Sequence, residues 1–370
     1  MHAEPAATTD TAPFDPTLAW CLLLCFASLP PLGHALGEAV GIPLAGNLLT
    51  PFWVFVVFPL LDTWVGIDPR NPTQAQEPRL ATARSLRRLP LAALPVYAAL
   101  LLWGAPAFAR LLDTAPPAAL ALGLSLGLIG GAIGITFAHE LIHKPGAFER
   151  NAGGVLLSLV AYGGFKVEHV FGHHVDVATP RDTSTARLGE SSYAFLWRAW
   201  RLNPVRAWQL AGDRLRARGL PAWHWHNEMY RWNGLSLAVA AAATAWLGVA
   251  GLAFFVLQAF VAVTLLELVN YIEHYGLLRR QGADGRYERV TPRHSWNDSH
   301  RLSNHALLNL QRHSDHHAHA ARRYPALRHH HDAPQLPAGY ATLVLLALLP
   351  PLWRRVMDPR VAAWQAATPA

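Results

Sequence analysis

Long apolar runs constrain the fold of this chain more than any other feature. A helix needs about 20 apolar residues to cross a bilayer, and four runs of the 370-residue sequence reach that length. A fifth run, 234–272, carries Glu267 as its one charge; it is too long for one crossing and fits two short ones that turn near Gly248–Gly251. The sequence therefore predicts an all-α integral membrane protein with six transmembrane helices in a single membrane domain, 1–370. The predicted spans are about 17–37, 43–65, 89–112, 116–139, 234–250 and 251–272.

The cationic residues predict how these helices are oriented. Of the 31 lysines and arginines, five lie at 66–88, twelve at 144–231 and thirteen from residue 279 onward. Six crossings with a cytoplasmic N-terminus place all of them except Arg110 on the cytoplasmic side, as the positive-inside rule expects. The net charge of +7 is then explained by a cytoplasmic face and not by binding of nucleic acid. The remaining regions form a predicted cytoplasmic cap, 140–233 and 273–370.

Four histidine clusters stand where the predicted spans meet this cap. Residues three and four apart lie on one face of a helix, so the rings within a cluster can converge. The clusters read FAHELIHK, VEHVFGHH, NYIEHYGL and LQRHSDHHAH. Nine of the ten histidines in these stretches are the predicted metal ligands: His139, His143, His169, His173, His174, His274, His313, His316 and His317.

The number of clustered histidines favours one kind of metal site over the others. One tetrahedral zinc takes three or four protein ligands, whereas nine imidazoles fit two iron ions with four or five ligands each, and neutral imidazole suits iron. H-E-x-x-H at 139–143 is also the zinc-protease motif, but a protease has no use for the other seven histidines. A polar, histidine-rich surface is the remaining alternative, above all for the isolated His274. No catalytic residue is predicted beyond the metal ligands.

Two further groups of residues are predicted to serve this site. One acidic residue beside each cluster could accept the second ring N–H and fix the tautomer, although solvated acids are an equal alternative; these are Glu140, Glu168, Glu273 and Asp315. Gly123, Gly127 and Gly131 recur every four residues in the fourth span, which indicates either close helix packing or a slot for a substrate chain. The predicted walls of that slot are Trp53, Val54, Phe58, Gly131 and Gly134.

The motifs resemble those of a known superfamily. H-x-x-x-H, H-x-x-x-H-H and H-x-x-H-H boxes between membrane spans are similar to those of fatty-acid desaturases and hydroxylases. HELIHK, EHVFGHH, NYIEHYGL and LQRHSDHHA together resemble the membrane alkane 1-monooxygenases. The likeness runs from Leu18 to Pro359 and includes PLLD at 59–62, HSWN at 294–297 and VMDP at 356–359.

The resemblance implies a non-haem di-iron enzyme of the bacterial inner membrane with its active site on the cytoplasmic side. Such an enzyme hydroxylates the terminal methyl of medium-chain n-alkanes to 1-alkanols with O2. Its electrons come from rubredoxin, which an NAD(P)H rubredoxin reductase supplies. The sequence has no C-x-x-C pair among its two cysteines, Cys21 and Cys25, so rubredoxin is expected to be a separate protein. A related hydroxylase or desaturase acting on another lipid or on an aromatic methyl group is the alternative.

The arginines after the sixth span suggest where the electron donor docks. Arg322 and Arg323 come just after the fourth histidine cluster, and Arg354, Arg355 and Arg360 follow the last apolar stretch. Rubredoxins are typically acidic. Opposite charges would speed the encounter of the two proteins. Binding of anionic lipid headgroups is the alternative role for these arginines.

Overall fold

The computed structural model describes residues 13–367, and within this range the chain is helical, with isolated bridges but no strand. The predicted cytoplasmic N-terminus therefore lies partly outside the described residues. The helices are α1 Pro16–Ala39, α2 Pro43–Asn47, α3 Leu49–Phe52, α4 Phe58–Val65, α5 Glu77–Thr82, α6 Arg84–Thr114, α7 Pro116–Ile129, α8 Thr136–Ile142, α9 Ala147–Leu159, α10 Phe165–Glu168, α11 His174–Asp176, α12 Ser192–Arg216, α13 Glu228–His274, α14 Arg301–Ala306, α15 His313–Ala318, α16 Tyr340–Ala347 and α17 Pro350–Ala366. Wider π-helical turns occur at Trp53–Val57, Gly130–Ile135 and His169–His173.

Four helical segments of the described chain are long and apolar enough to cross a membrane: Pro16–Ala39, Arg84–Thr114, Pro116–Ile142 and Glu228–His274. A shorter apolar segment, Leu49–Val65, lies within the predicted second span. Its helix is interrupted because Pro59 has no N–H to donate, and the ladder widens so that the Phe58 N–H donates to the Trp53 carbonyl. The number of crossings stays a prediction.

The longest helix, α13, is divided at Gly248. This glycine adopts φ 62° and ψ −146° inside the helix, a left-handed conformation that residues with a Cβ rarely adopt. Gly251 then lies so close to Ala243 that a Cβ on it would meet the Ala243 carbonyl oxygen at 2.1 Å. In a straight helix these residues would be about 12 Å apart. The two halves of α13 therefore bend sharply toward each other, as two short spans require.

α7 and the π turn after it form the centre of the helix assembly. α7 packs against α6 and α13, and its glycine face is what allows the second contact. A Cβ on Gly123 would meet Leu257 at 2.4 Å, and one on Gly127 would meet Val261 at 2.5 Å. For Gly123 and Gly127 the helix-packing interpretation of the glycine repeat is therefore the correct one.

The segments outside the long helices are fixed by the remaining sequence motifs. Asp62, the last residue of PLLD, accepts hydrogen bonds from the backbone N–H groups of Leu302 (2.9 Å) and Ser303 (3.1 Å). Asp358, in VMDP, accepts from the Tyr275 hydroxyl at 2.6 Å. These contacts join the second apolar segment to α14, which precedes the fourth histidine cluster, and the last helix to the residue directly after His274.

Candidate metal centre

The nine predicted histidines are all described, and the structure brings them together at one end of the long helices. α8 carries His139 and is followed directly by His143, and α13 ends at His274. The second cluster forms a π turn, and the fourth cluster lies on α15. Seven of the nine are buried, and His143 and His174 are half-buried. The rings fall into two groups, each with one ring nitrogen per residue and all these nitrogens within 4.8 Å of one another.

The five-histidine group consists of His139, His143, His169, His174 and His316. Its closest nitrogens are the Nε2 atoms of His139 and His169, which are 2.8 Å apart. His174 Nε2 lies 3.1 Å from both His169 Nε2 and His316 Nε2. The first, second and fourth clusters each contribute to this group.

The four-histidine group consists of His173, His274, His313 and His317. His313 Nε2 is 3.1 Å from His274 Nε2 and 2.9 Å from His317 Nε2. His274, the isolated histidine of the third cluster, is 0% exposed and belongs to this group. Its position beside three other imidazoles disfavours the interpretation as a solitary polar residue.

The geometry of both groups fits metal ions better than hydrogen bonds. One ring nitrogen offers either one donor or one acceptor, whereas His169 Nε2 and His313 Nε2 each face two other ring nitrogens. Two nitrogens bound at right angles to a metal at 2.0–2.1 Å would lie about 3 Å apart, close to the separations seen here. His143 and His173 also keep buried Nε2 atoms without a partner. These donors fit two metal ions of the kind that imidazole prefers, iron among them.

An apolar cavity lies beside the metal centre. Its volume is about 90 Å³, measured as the space open to the centre of a water molecule, and it opens to the outside. α1, the π turn at 53–57, the π turn at 130–135, α13, α14 and α16 line it. Three of the predicted wall residues, Val54, Phe58 and Gly131, line this cavity. Trp53 and Gly134 do not: Trp53 packs on the core and Gly134 lies against the Tyr97 ring.

Comparison with known proteins identifies the family. The model of the fatty acid desaturase family matches residues 115–346. The chain is 49% identical over 348 residues to alkane 1-monooxygenase 1 of Pseudomonas aeruginosa, covering 94% of this chain and 91% of that protein. It is 47% identical to alkane 1-monooxygenase 2 of the same organism, with coverage of 94% and 92%. Alkane 1-monooxygenase 2 of Alcanivorax borkumensis is 47% identical over 84% of this chain and 82% of that protein.

The chain belongs to the alkane 1-monooxygenase family. The sequence resemblance is thereby confirmed, and the membrane helices and clustered histidines agree with it. Like the alkane 1-monooxygenases of this family, the chain is an oxidoreductase.

The four acidic residues predicted to support the imidazoles have different partners in this alkane 1-monooxygenase homologue. Glu140 pairs with Lys144 at 2.8 Å, and Glu168 lies 3.6 Å from Arg206. Among the described hydrogen bonds, neither carboxylate reaches an imidazole of the metal centre. The reason is that each lies next to a cation, Lys144 for Glu140 and Arg206 for Glu168, and a cation attracts a carboxylate more strongly than a neutral ring does.

Asp315 also departs from its predicted role. It binds Arg322 at 2.6 Å and His330 at 3.0 Å, and neither partner belongs to the metal centre. Burial raises the pKa of Asp315, but the hydrogen bonds from His330 and Arg322 outweigh it and hold that pKa below its ordinary value. The carboxylate therefore anchors the loop that follows α15.

Glu273 alone of the four touches a ligand imidazole, and it does so on the opposite side from the one predicted. Its Oε2 lies 3.1 Å from His313 Nε2, the nitrogen that faces the other rings, and its Oε1 accepts from the Tyr340 hydroxyl at 2.6 Å. The carboxylate therefore borders the space where a metal ion would bind. Sequence spacing placed Glu273 near the site but could not tell which ring nitrogen it would meet.

Sequence reasoning missed two residues that orient imidazoles. Asp182 accepts from His173 Nδ1 at 2.9 Å, the contact expected of a carboxylate that supports a metal ligand. Ser295, in the HSWN motif, lies 3.4 Å from His274 Nδ1. The available signal for Asp182 was an acidic residue followed by three hydroxyl residues, D-T-S-T, shortly after the second cluster.

Two of the arginines expected to dock an electron donor, Arg322 and Arg323, are engaged inside the protein, whereas Arg354, Arg355 and Arg360 are exposed. Arg322 pairs with Asp315, and Arg323 pairs with Glu149 at 2.9 Å. Their side chains are 22% and 15% exposed. Both therefore hold the segment after α15 in place, and their positive charge is not free for an acidic partner.

Proposed function

We propose that this protein is a non-haem di-iron alkane 1-monooxygenase. It would hydroxylate the terminal methyl of medium-chain n-alkanes to 1-alkanols with O2 and electrons from rubredoxin. The observation that carries the proposal is the convergence of nine imidazoles in two groups beside an apolar cavity, in a chain of this family.

The residues that would hold the iron ions are those of the five-histidine and four-histidine groups. When bound, the two ions supply the oxidising chemistry that an unactivated C–H bond requires, since no side chain acts as an acid, base or nucleophile on it. The protein positions the donors before the metal arrives. His173 and His274 are held from outside the group by Asp182 and Ser295, which fixes the directions of their rings.

The lining of the cavity suits a hydrocarbon substrate. Its three hydroxyl side chains are all turned to partners in the protein: Thr136 donates to the Gly131 carbonyl at 3.2 Å, Ser303 to Asp62, and Tyr340 to Glu273 at 2.6 Å. The remaining wall is almost entirely apolar. A bound alkane would therefore lose no hydrogen bond and leave no polar group of the wall unpaired.

The position of the cavity indicates how the methyl group is presented. Thr136 lies one helical turn before His139, Leu310 three residues before His313, and the Tyr340 hydroxyl binds Glu273. All three line the cavity, so its inner end is bordered by residues next to the metal ligands. A chain entering from the lipid would extend its terminal methyl toward that end and keep water away from it.

The membrane arrangement belongs to the same proposal. Six crossings would place the histidines on the cytoplasmic side of the bacterial inner membrane. There a soluble rubredoxin, reduced by its NAD(P)H-dependent reductase, would deliver electrons to the metal centre. The bend at Gly248 supports two crossings by α13, and the distribution of lysine and arginine supports the orientation.

Product analysis tests the function directly. The purified, iron-loaded protein is supplied with rubredoxin, rubredoxin reductase, NAD(P)H and a mixture of n-alkanes and p-xylene. We expect 1-alkanols that carry one atom of labelled O2, with little product from p-xylene. Predominant p-xylene oxidation or formation of alkenes would assign the chain to a related hydroxylase or desaturase, and no product with full iron occupancy would contradict the proposal.

A further inference from the structure

The two histidine groups differ in the carboxylates that surround them. In the four-histidine group, Asp182 Oδ2 accepts from His173 Nδ1 at 2.9 Å, and Asp182 is 3% exposed. The carboxylate is itself fixed by the Thr185 hydroxyl at 2.6 Å and by the Ser184 N–H at 3.1 Å. It is therefore oriented toward one imidazole and cannot turn away to solvent.

Glu273 adds a second carboxylate to the same group. Its Oε2 faces His313 Nε2 at 3.1 Å, on the side where His274 and His317 converge. The Tyr340 hydroxyl fixes its other oxygen, and Glu273 is 1% exposed. One carboxylate thus supports the group from outside and another borders it from inside.

The five-histidine group has no such support. Among the described hydrogen bonds and ion pairs, no carboxylate contacts the rings of His139, His143, His169, His174 or His316. The nearest acidic side chain along the sequence of the first cluster, Glu140, is neutralised by the buried Lys144 at 2.8 Å. The carboxylates that contact ligand rings therefore lie on one side of the centre.

From this asymmetry we infer that Asp182 and Glu273 make the two iron positions inequivalent, with the lower reduction potential at the four-histidine group. The inference rests on the proposed di-iron function and deepens it. A carboxylate that accepts from a ligand imidazole makes that ring a stronger donor, and nearby negative charge in a buried site favours the more positive metal ion. Loss of one electron from ferrous to ferric iron is therefore easier at the four-histidine position.

The test is a redox titration of the protein loaded with 57Fe, followed by Mössbauer spectroscopy. In the parent we expect two ferrous signals, one of which converts to ferric at a lower applied potential. Asp182→Asn keeps the size of the side chain and removes its charge. We expect it to raise the potential of the early signal and to leave the other unchanged.

Two further variants make the result specific. Asp176→Asn is the matched control, because Asp176 follows the same cluster but pairs with Arg206 at 2.5 Å and touches no ligand ring; it should shift neither signal. Tyr340→Phe releases Glu273 while leaving Asp182 in place. It should alter the same signal as Asp182→Asn, and it carries the test if Asp182→Asn does not take up iron.

Equal shifts in the potentials of both signals would overturn the inference. Unchanged potentials in both Asp182→Asn and Tyr340→Phe would overturn it as well. So would an effect of Tyr340→Phe confined to the signal that Asp182→Asn leaves unchanged. The proposed function is judged separately, from the iron content and alkanol production of the parent. A parent that forms 1-alkanols but whose two signals titrate together would retain its function and lose this inference.

Discussion

At the scale of single residues, the acidic side chains around the centre divide into two kinds. Asp182 and Glu273 act on ligand imidazoles, whereas Glu140 and Asp315 neutralise cations and hold the chain that carries the ligands. Asp315 matters most for the position of the ligands, because it lies between His313 and His316 and is 0% exposed. Its partner Arg322 therefore stabilises the metal centre without touching it.

Replacement of Arg322 tests this supporting role. Arg322→Gln leaves Asp315 with His330 and the Arg328 N–H, so we expect a loss of about 1–3 kcal/mol of stability, the cost of an incompletely paired buried group. The variant should unfold at a lower temperature and retain less iron. Arg355→Gln changes an exposed residue of α17 and is the control. Equal losses of stability and iron in the two variants would mean that Arg322 contributes no more than an exposed arginine.

The residues of the centre show how far sequence reasoning extends. Spacing within three of the clusters identified eight of the nine imidazoles that converge, because i, i+3 and i, i+4 neighbours share a helix face. The isolated His274 was predicted only from its position at the end of the sixth span. The division of the nine imidazoles into two groups was not predictable, since His173 and His174 are adjacent in the chain yet belong to different groups. Asp182 was missed for a similar reason: its partner depends on how a loop folds back and not on spacing.

At the scale of helices, the glycine repeat of α7 and the π turn after it contributes to both helix packing and the lining of the cavity. Gly123 and Gly127 face α13, and Gly131 also meets Leu265 of α13 but lines the cavity in addition. The packing interpretation therefore applies to Gly123 and Gly127, whereas the substrate slot at Gly131 stays a prediction. The sequence alone could not separate the two interpretations, because each requires the identity of the facing helix.

Gly127 is predicted to be a packing position. A Cβ on it would meet Val261 at 2.5 Å and the backbone oxygen of Gln258 at 2.8 Å, and a backbone atom in a helix has little room to move. Gly127→Ala should therefore cost about 1–3 kcal/mol, as overpacked sites do. The measurement is thermal unfolding in detergent, with Gly234→Ala as the control, since nothing lies within 4 Å of a Cβ on Gly234. An unaffected Gly127→Ala protein would mean that α7 and α13 are less tightly packed than the structure shows.

Gly131 is predicted to affect substrate length. Its nearest neighbour is the flexible end of Leu265, 2.8 Å from an added Cβ, and both residues line the cavity. Gly131→Leu should fill the cavity and reduce turnover of longer alkanes more than that of shorter ones, and Leu265→Ala should extend the accepted range. The product distribution from an alkane mixture measures this. Equal loss for all lengths in a folded variant would place the alkyl chain elsewhere.

At the scale of the whole molecule, the fold brings an apolar cavity and a buried histidine centre to adjoining positions. From sequence alone, the apolar runs predicted the long helices. The histidine clusters at the ends of these runs predicted that one end of the molecule is rich in histidine. The breaks within the helices were only partly predictable: the turn near Gly248 followed from the length of the run, whereas the π turns at Trp53–Val57 and Gly130–Ile135 depend on local hydrogen bonds. The cavity was least predictable, because side chains from six separate segments enclose it.

The orientation of the molecule in the membrane gives a labelling prediction. Val249, 81% exposed beside the bend in α13, should face the periplasm, and Leu278, 58% exposed just beyond His274, should face the cytoplasm. In a background without Cys21 and Cys25, a membrane-impermeant maleimide should label Val249→Cys but not Leu278→Cys in spheroplasts. The reverse pattern would invert the topology, and labelling of both would contradict a sealed six-span arrangement.

Iron stoichiometry tests the central claim, that the two histidine groups each hold one iron ion. The comparison uses the parent, His143→Ala in the five-histidine group, His274→Ala in the four-histidine group, and His319→Ala, an exposed histidine of the fourth cluster outside both groups. We predict two iron ions per chain in the parent and in His319→Ala, with the iron content lowered in each ligand variant and a different Mössbauer signal lost in each. A single bound metal in the parent, or an undiminished pair of iron ions in both ligand variants, would contradict the account.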